Sequence, residues 1–221
     1  MKKYNAFIFD LDGTLIDSMG IWKQLDIDYL AKFQIPMPSN LQQEIEGLSF
    51  RDTAIYFKEH FGIPDTIEEI LEDWNQMSYD IYCHQVPLKP GAKTILEYAG
   101  THHIPCGIAT SNTLDLVMGV LKHHNIDSYF DTIITAGDVG KGKPAPDVFL
   151  AAAKRLQVSP EECLVFEDIV AGIDGAHNAG MTVVAVKDAY SAYQEEQKIE
   201  KADFFIENFE EILAYLENNE M

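Results

Sequence analysis

Cationic side chains are scarce. Lys and Arg number 16 against 36 Asp and Glu, giving a formal net charge of −20. So acidic a surface repels nucleic acid and anionic membranes at long range, which excludes both as partners. It repels small anions too, so a site for a phosphate ester needs local positive charge, from a metal ion and a few well-placed lysines. Cysteine is also scarce. Cys83, Cys106 and Cys163 are odd in number and scattered, with no disulfide framework and no zinc spacing, which fits a reducing compartment. The seven histidines include the pairs His102-His103 and His123-His124, but neither pair has partners at metal-ligand spacing, and we read them as solvated helix ends. No apolar run approaches the roughly 20 residues of a membrane span. The opening MKKYNAFIFDLDG turns from basic to apolar as a secretory leader would, yet its apolar stretch stops at Asp10 and no small-residue cleavage site follows. We read it as the first strand of a cytoplasmic protein.

What is present suits a globular chain. The 221 residues are 47% apolar, enough for one domain with an insertion or two small ones. Short runs rich in β-branched and aromatic residues predict buried strands at Tyr4–Phe9, Ile104–Ala109, Thr132–Thr135, Cys163–Phe166, Thr182–Val186 and Asp203–Ile206. Helical stretches near 91–101, 113–124, 147–157 and 169–179 separate the later ones, and a last helix near 208–218 follows. This alternation predicts an α/β fold, a Rossmann-like doubly wound parallel sheet covered on both faces. Right-handed crossovers then order its strands third, second, first, fourth, fifth.

The segment 17–88 breaks the rhythm, with no convincing strand. Ile21, Leu25, Tyr29 and Phe33 recur every fourth residue, as on an amphipathic helix. Further helices are expected near 39–47, 50–60 and 66–84, the last opened by a capping box of Thr66 and Glu69. We read 17–88 as an all-helical cap inserted into a core of 1–16 and 89–221, with Pro87, Pro90 and Gly91 marking the return hinge.

In a doubly wound sheet the site lies beyond the carboxyl ends of the strands. Asp10-Leu11-Asp12-Gly13-Thr14 follows the first strand, and Thr110-Ser111-Asn112 the second. The loop after the third carries Lys141-Gly142-Lys143-Pro144, and Glu167-Asp168 end the fourth. Each has a bland reading alone: a solvated turn, a helix cap, a surface lysine, an acidic first helical turn. All four at one edge form a coherent chemistry. A carboxylate can attack phosphorus to form an aspartyl-phosphate. Two anions meet in that step, so a divalent cation and an ammonium group are needed, and oxygen donors without His or Cys favour magnesium. A second acid two residues on can handle the leaving-group proton.

The strings FIFDLDGTLIDS, GIATSN, GKGKPAPDVF and VFEDIVAGIDGAHNAGM, in this order and spacing, resemble the haloacid dehalogenase superfamily of phosphatases and phosphomutases. The likeness spans essentially the whole chain and is strongest to members with a helical cap after the first strand, such as β-phosphoglucomutase-like and phosphoglycolate phosphatase-like proteins. The resemblance implies Asp10 as nucleophile and magnesium ligand, and Asp12 as general acid/base that lends its backbone carbonyl to the metal. It implies Thr110 and the Ser111 amide as holders of the phosphoryl group, and Lys143, not Lys141, as its neutralising cation. Asp168 and Glu167 complete the metal site, Glu167 directly or through water. Lys141 and Asp147 keep the readings of surface cation and helix cap.

An acid at Asp12 suggests rapid turnover of the aspartyl-phosphate and argues, with the helical insert, against the remote alternative of a non-enzymatic phospho-receiver. The family's β-phosphoglucomutases carry a histidine early in the first cap helix and an arginine in a later cap loop. Here Trp22 stands at the first place, and Phe50 at the second with Arg51 one residue late. That favours a phosphatase over the mutase alternative and makes Trp22, Phe50 and Arg51 candidate specificity residues, although the two aromatics could equally pack the cap. We expect a monomer acting on a small phosphorylated metabolite, a sugar phosphate or similar, with phosphoglycolate, nucleotides and phosphorylated cofactors left open.

Overall fold

The computed structural model describes residues 4–219. Strand β1 (Ala6–Phe9) leads into four helices, α1 (Met19–Lys32), α2 (Leu41–Ile45), α3 (Phe50–Phe61) and α4 (Ile67–Gln85). The chain then alternates: α5 (Ala92–Thr101), β2 (Cys106–Thr110), α6 (Leu114–His123), β3 (Phe130–Thr135), α7 (Ala136–Val139), α8 (Asp147–Leu156), β4 (Cys163–Glu167), α9 (Val170–Asn178), β5 (Thr182–Val186), α10 (Glu195–Lys201), β6 (Phe204–Ile206) and α11 (Phe209–Asn219). All strand pairs are parallel, in the order β3-β2-β1-β4-β5-β6. The strand order expected from the sequence is therefore the one observed, with β6 added at the β5 edge. The short helices α7 and α10 were not anticipated.

Period-two alternation splits the sheet's side chains between two cores. On β1, Phe7 and Phe9 face one layer while Ala6 and Ile8 face the other, and β4 repeats this with Leu164 and Phe166 against Cys163 and Val165. Phe9 and Phe166 stack at 4.6 Å. Burial on both faces is why these strands read as continuous apolar runs.

Helices α1–α4 form the helical cap, with its own core around Leu25, Tyr29, Phe57, Ile70 and Trp74. Trp74 meets Phe57 edge-on at 5.0 Å and Tyr29 at 5.6 Å. The Thr66–Glu69 capping box forms in both directions at the start of α4. Two strips of backbone join cap to core, and they pair with each other. Asp17 N donates to Pro87 O at 2.9 Å, Lys89 N donates to Leu15 O at 2.9 Å, and Ile16 bridges antiparallel to Leu88.

Candidate active site

Parallel pairing brings the carboxyl ends of β1, β2 and β4 side by side, and the chemistry collects there. Asp10 N donates to Phe166 O at 2.9 Å, tying the β1 turn to β4. Gly13 in this turn has φ of +81°, and a methyl added there would overlap the Asp168 carboxylate. Only a residue without Cβ lets the turn pass so close to that acid. Gly172 does the same for Glu167, whose carboxylate fills the space its side chain would occupy.

Lys143 is buried and is the cation at the centre. Its Nζ donates to Asp10 Oδ1 at 2.5 Å and also to Glu167 Oε1, and it lies over the Phe149 ring at 5.4 Å. Burial alone would pull its ammonium down, but Asp10 and Glu167 outweigh that and hold it above the ordinary lysine value. Asp10 itself is pushed up to about 7, first by burial and then by Glu167, against the pull of Lys143. Asp168 is also held well above its ordinary value, first by burial and then by the charges of Asp10 and Glu167. Three buried acids with one lysine carry surplus negative charge, which is unfavourable unless a cation joins them.

Oxygen atoms of Asp10, Glu167 and Asp168 lie within 4.8 Å of one another. Asp168 Oδ2 is buried without a hydrogen-bond partner, while Oδ1 accepts from Thr14 Oγ1 at 3.2 Å. An orphaned buried carboxylate oxygen among hard oxygen donors fits a divalent cation of the magnesium type. Thr110 and Ser111 line the same cavity as Asp10, Asp12, Lys143 and Asp168. Thr110 is buried, and its hydroxyl caps the turn by accepting from Asn112 N at 3.1 Å.

Asp12 is turned away from the acid cluster, into a cradle that crosses from core to cap. Its Oδ1 accepts from Ser18 Oγ at 2.6 Å, Trp22 Nε1 at 2.7 Å and Tyr82 OH at 3.0 Å. Its Oδ2 accepts from Asn112 Nδ2 at 3.1 Å, and Asn112 also donates to the Tyr82 hydroxyl. Burial and the Asp12 charge raise Tyr82 well above its ordinary value, so it remains a donor. Sequence reasoning missed Ser18, Tyr82 and Asn112 in this role. Asn112 stood in a quoted string but was read as a helix cap, and nothing local marks Tyr82.

Of the three cap candidates, Trp22 and Phe50 line the cavity, with ring centroids 5.9 Å apart. Arg51 is not brought there. It is exposed and pairs with Glu68 at 3.0 Å. Ser49 caps α3, which makes Phe50 the first helical residue, and one further residue rotates the side chain about 100° away from the cavity. Lys141 is exposed and pairs with Asp147 at 3.2 Å, outside the acid cluster.

The cap is docked on the core. Phe50 N donates to Ser111 O at 3.2 Å. Glu46, in the loop after α2, accepts from Gln194 Nε2 at 2.7 and 2.8 Å and from Tyr193 OH at 2.5 Å. Between the two bodies lies a cavity of about 590 Å³ that runs from the acids into the cap. No helix among the described residues is long and apolar enough to cross a membrane.

Comparison with known proteins agrees with this geometry. The haloacid dehalogenase-like hydrolase family matches residues 7–186. A Drosophila melanogaster protein named "Probable pseudouridine-5'-phosphatase" is 31% identical, over 85% of this chain and 84% of its own. (DL)-glycerol-3-phosphatase 2 of Arabidopsis thaliana is 34% identical, over 82% and 78%. The crystal structure of CbbY from Rhodobacter sphaeroides in complex with phosphate superposes with a TM-score of 0.87 at 22% identity, over 97% of this chain and 99% of that one, a likeness of fold.

Proposed function

Because the chain belongs to the haloacid dehalogenase-like hydrolase family, we propose that it is a magnesium-dependent phosphatase that hydrolyses a small phosphate monoester through an aspartyl-phosphate on Asp10. The observation that carries this reading is the buried set of Asp10, Lys143, Glu167 and Asp168 at the β1–β4 edge, with Asp168 Oδ2 left unpartnered. Asp10, Glu167 and Asp168 would hold the ion, with the Asp12 carbonyl beside them. When bound, the ion neutralises charge on the phosphoryl oxygens and on these acids.

The protein's own groups supply the rest. Lys143 holds the Asp10 carboxylate and offers its ammonium to the incoming phosphoryl oxygens, so the nucleophile and the anion share one counter-charge. The Thr110 hydroxyl and the Ser111 amide bind the remaining oxygens. Asp10 attacks phosphorus as the ester oxygen leaves, and Asp12 gives that oxygen a proton. Asp12 then takes a proton from the water that opens the acyl phosphate and frees inorganic phosphate. The docked cap keeps bulk water out during the first step.

Phosphatase is favoured over phosphomutase by the cap. A mutase must hold a bis-phosphorylated intermediate as it turns round, and the cap end of the cavity offers a second phosphate little charge. Lys23 is the cap cation that lines it, and Arg51 is committed to Glu68. The test is to supply magnesium and a sugar 1-phosphate or a better ester, and to follow free phosphate against isomerised ester. Phosphate release, abolished in Asp10→Asn, is expected. Isomerised product forming faster than free phosphate replaces this reading with the mutase.

A further inference from the structure

The cap end of the cavity has a composition of its own. Its wall is aromatic on one side, where Trp22, Phe50 and Trp74 stand edge to face with Phe50 5.9 Å from Trp22 and 5.4 Å from Trp74. Met19, Leu25, Ile27 and Met37 extend the apolar lining. Into this wall is set one buried acid. Asp26 is 5% exposed and lies on α1 facing Gln42 of α2, whose Nε2 donates to Asp26 Oδ2 at 2.6 Å. The other carboxylate oxygen accepts no hydrogen bond among the described residues. Among the described residues no lysine or arginine pairs with Asp26, unlike Asp10 and Glu167 at the acid cluster. A buried acid without a counter-charge is costly to maintain.

Resting on the phosphatase reading, we propose that this end of the cavity receives the base of a nucleoside 5′-monophosphate, with Asp26 and Gln42 reading an N–H on the edge of the ring. Three features favour a flat heterocycle over other ester groups. The aromatic wall offers faces and edges on which a ring can stack. A hexose, polar all round, would lose hydration at every hydroxyl against a wall with few partners. A triose would leave the apolar end empty. A cavity of about 590 Å³ falls within the range of sites that enclose a nucleotide-sized ligand. The base then lies against the wall formed by Trp22 and Phe50 with its N–H toward Asp26, while the phosphate reaches Lys143.

The experiment uses the full chain with magnesium and initial rates on uridine and guanosine 5′-monophosphates, glycerol 3-phosphate, glucose 6-phosphate and acetyl phosphate. The proposal expects kcat/KM for one of the nucleotides to exceed that for glycerol and glucose phosphates at least tenfold. Asp26→Leu should lower that ratio by about tenfold or more, as expected when a hydrogen-bonded ring edge loses its charged acceptor. Gln42→Ala, at a half-exposed position, should lower it in the same direction if Asp26→Leu does not fold. A best rate on a triose or hexose phosphate, or an unchanged ratio in both folded variants, overturns the proposal. Failure of the phosphatase reading is seen separately, as no hydrolysis of any ester including acetyl phosphate. In that case, calorimetric binding of the same nucleotides and of glucose 6-phosphate to the protein decides the ring proposal alone, tighter nucleotide binding supporting it and equal or weaker binding overturning it.

Discussion

Asp26→Asn should make the protein more stable, and the size of the gain should depend on pH in a defined way. Burial lifts the Asp26 carboxyl from the ordinary 3.8 to about 7, and the Gln42 hydrogen bond offsets only part of that. The sign follows directly. Between these two values the folded chain keeps a proton that the unfolded chain has lost, so stability falls as pH rises from about 4, and stops falling above about 7. The separation corresponds to about 4 kcal/mol at pH 8 and to less than half of that at pH 5. An asparagine has no charge to bury and can still accept from Gln42 Nε2. Allowing relaxation around the site to halve the full figure leaves about 2 kcal/mol, or a Tm raised by about 4–8 °C for a chain of this size at pH 8. Thermal unfolding of both proteins from pH 4.5 to 8 is the assay. The two melting curves should draw apart as pH rises and run parallel above pH 7. A Tm difference that is flat across this range, or an asparagine variant that melts lower at pH 8, refutes the reasoning. A group that destabilises the cap while lining the substrate cavity is the signature of a residue kept for binding.

Three further outcomes follow from the site. Trp22→Phe keeps the ring but removes one of three donors on Asp12 Oδ1, so kcat should fall about three- to tenfold while the melting temperature changes little, measured with any ester the enzyme turns over. Gly172→Ala drives a methyl into the Glu167 carboxylate and should lower stability by about 1–3 kcal/mol in denaturant titration, and magnesium affinity should fall with it in calorimetry. Gln194→Ala removes two hydrogen bonds from Glu46 and weakens cap docking by about 1 kcal/mol, which should raise KM about fivefold and quicken proteolysis of the cap linkers.

The parts of the site that could be read from the sequence are those the sheet itself aligns. A buried parallel strand shows as an apolar run, and the residue after its last apolar position must sit at the carboxyl edge, so counting places Asp10, Thr110 and Glu167 there, with Asp168 one residue beyond. Lys143 is singled out over Lys141 only by the family resemblance, whose lysine directly precedes the proline turn, whereas the alternation of strand and helix suffices for the strand order. The cap resisted this treatment, because helices meet through side chains far apart in the chain. Tyr82 reaches Asp12 across 70 residues, and Gln42 reaches Asp26 between two helices, without any local pattern to announce either. Arg51 shows the same limit at its smallest scale. One residue of helical phase separates the Phe50 that lines the cavity from the arginine that pairs outward with Glu68.

That division bears on how such an enzyme can vary. The core acids and Lys143 are each held by backbone geometry: the β1 turn that Gly13 allows, the β1–β4 pairing, and the space Gly172 leaves. On the proposed mechanism, changing one of them removes the chemistry without adding a new specificity. The cap contributes to the same cavity through side chains alone, and its connection to the core is two paired strips and a few polar contacts around Glu46 and Phe50. Its lining can change with little consequence for the sheet. Trp22 is the exception, since it lines the cavity while its N–H holds Asp12. On the proposed mechanism, substitution there alters recognition and proton transfer together. On this reading Asp12 is fully positioned only when the cap is docked, so an ester that fits the cap poorly is also protonated poorly, and selectivity should appear in kcat as well as in KM.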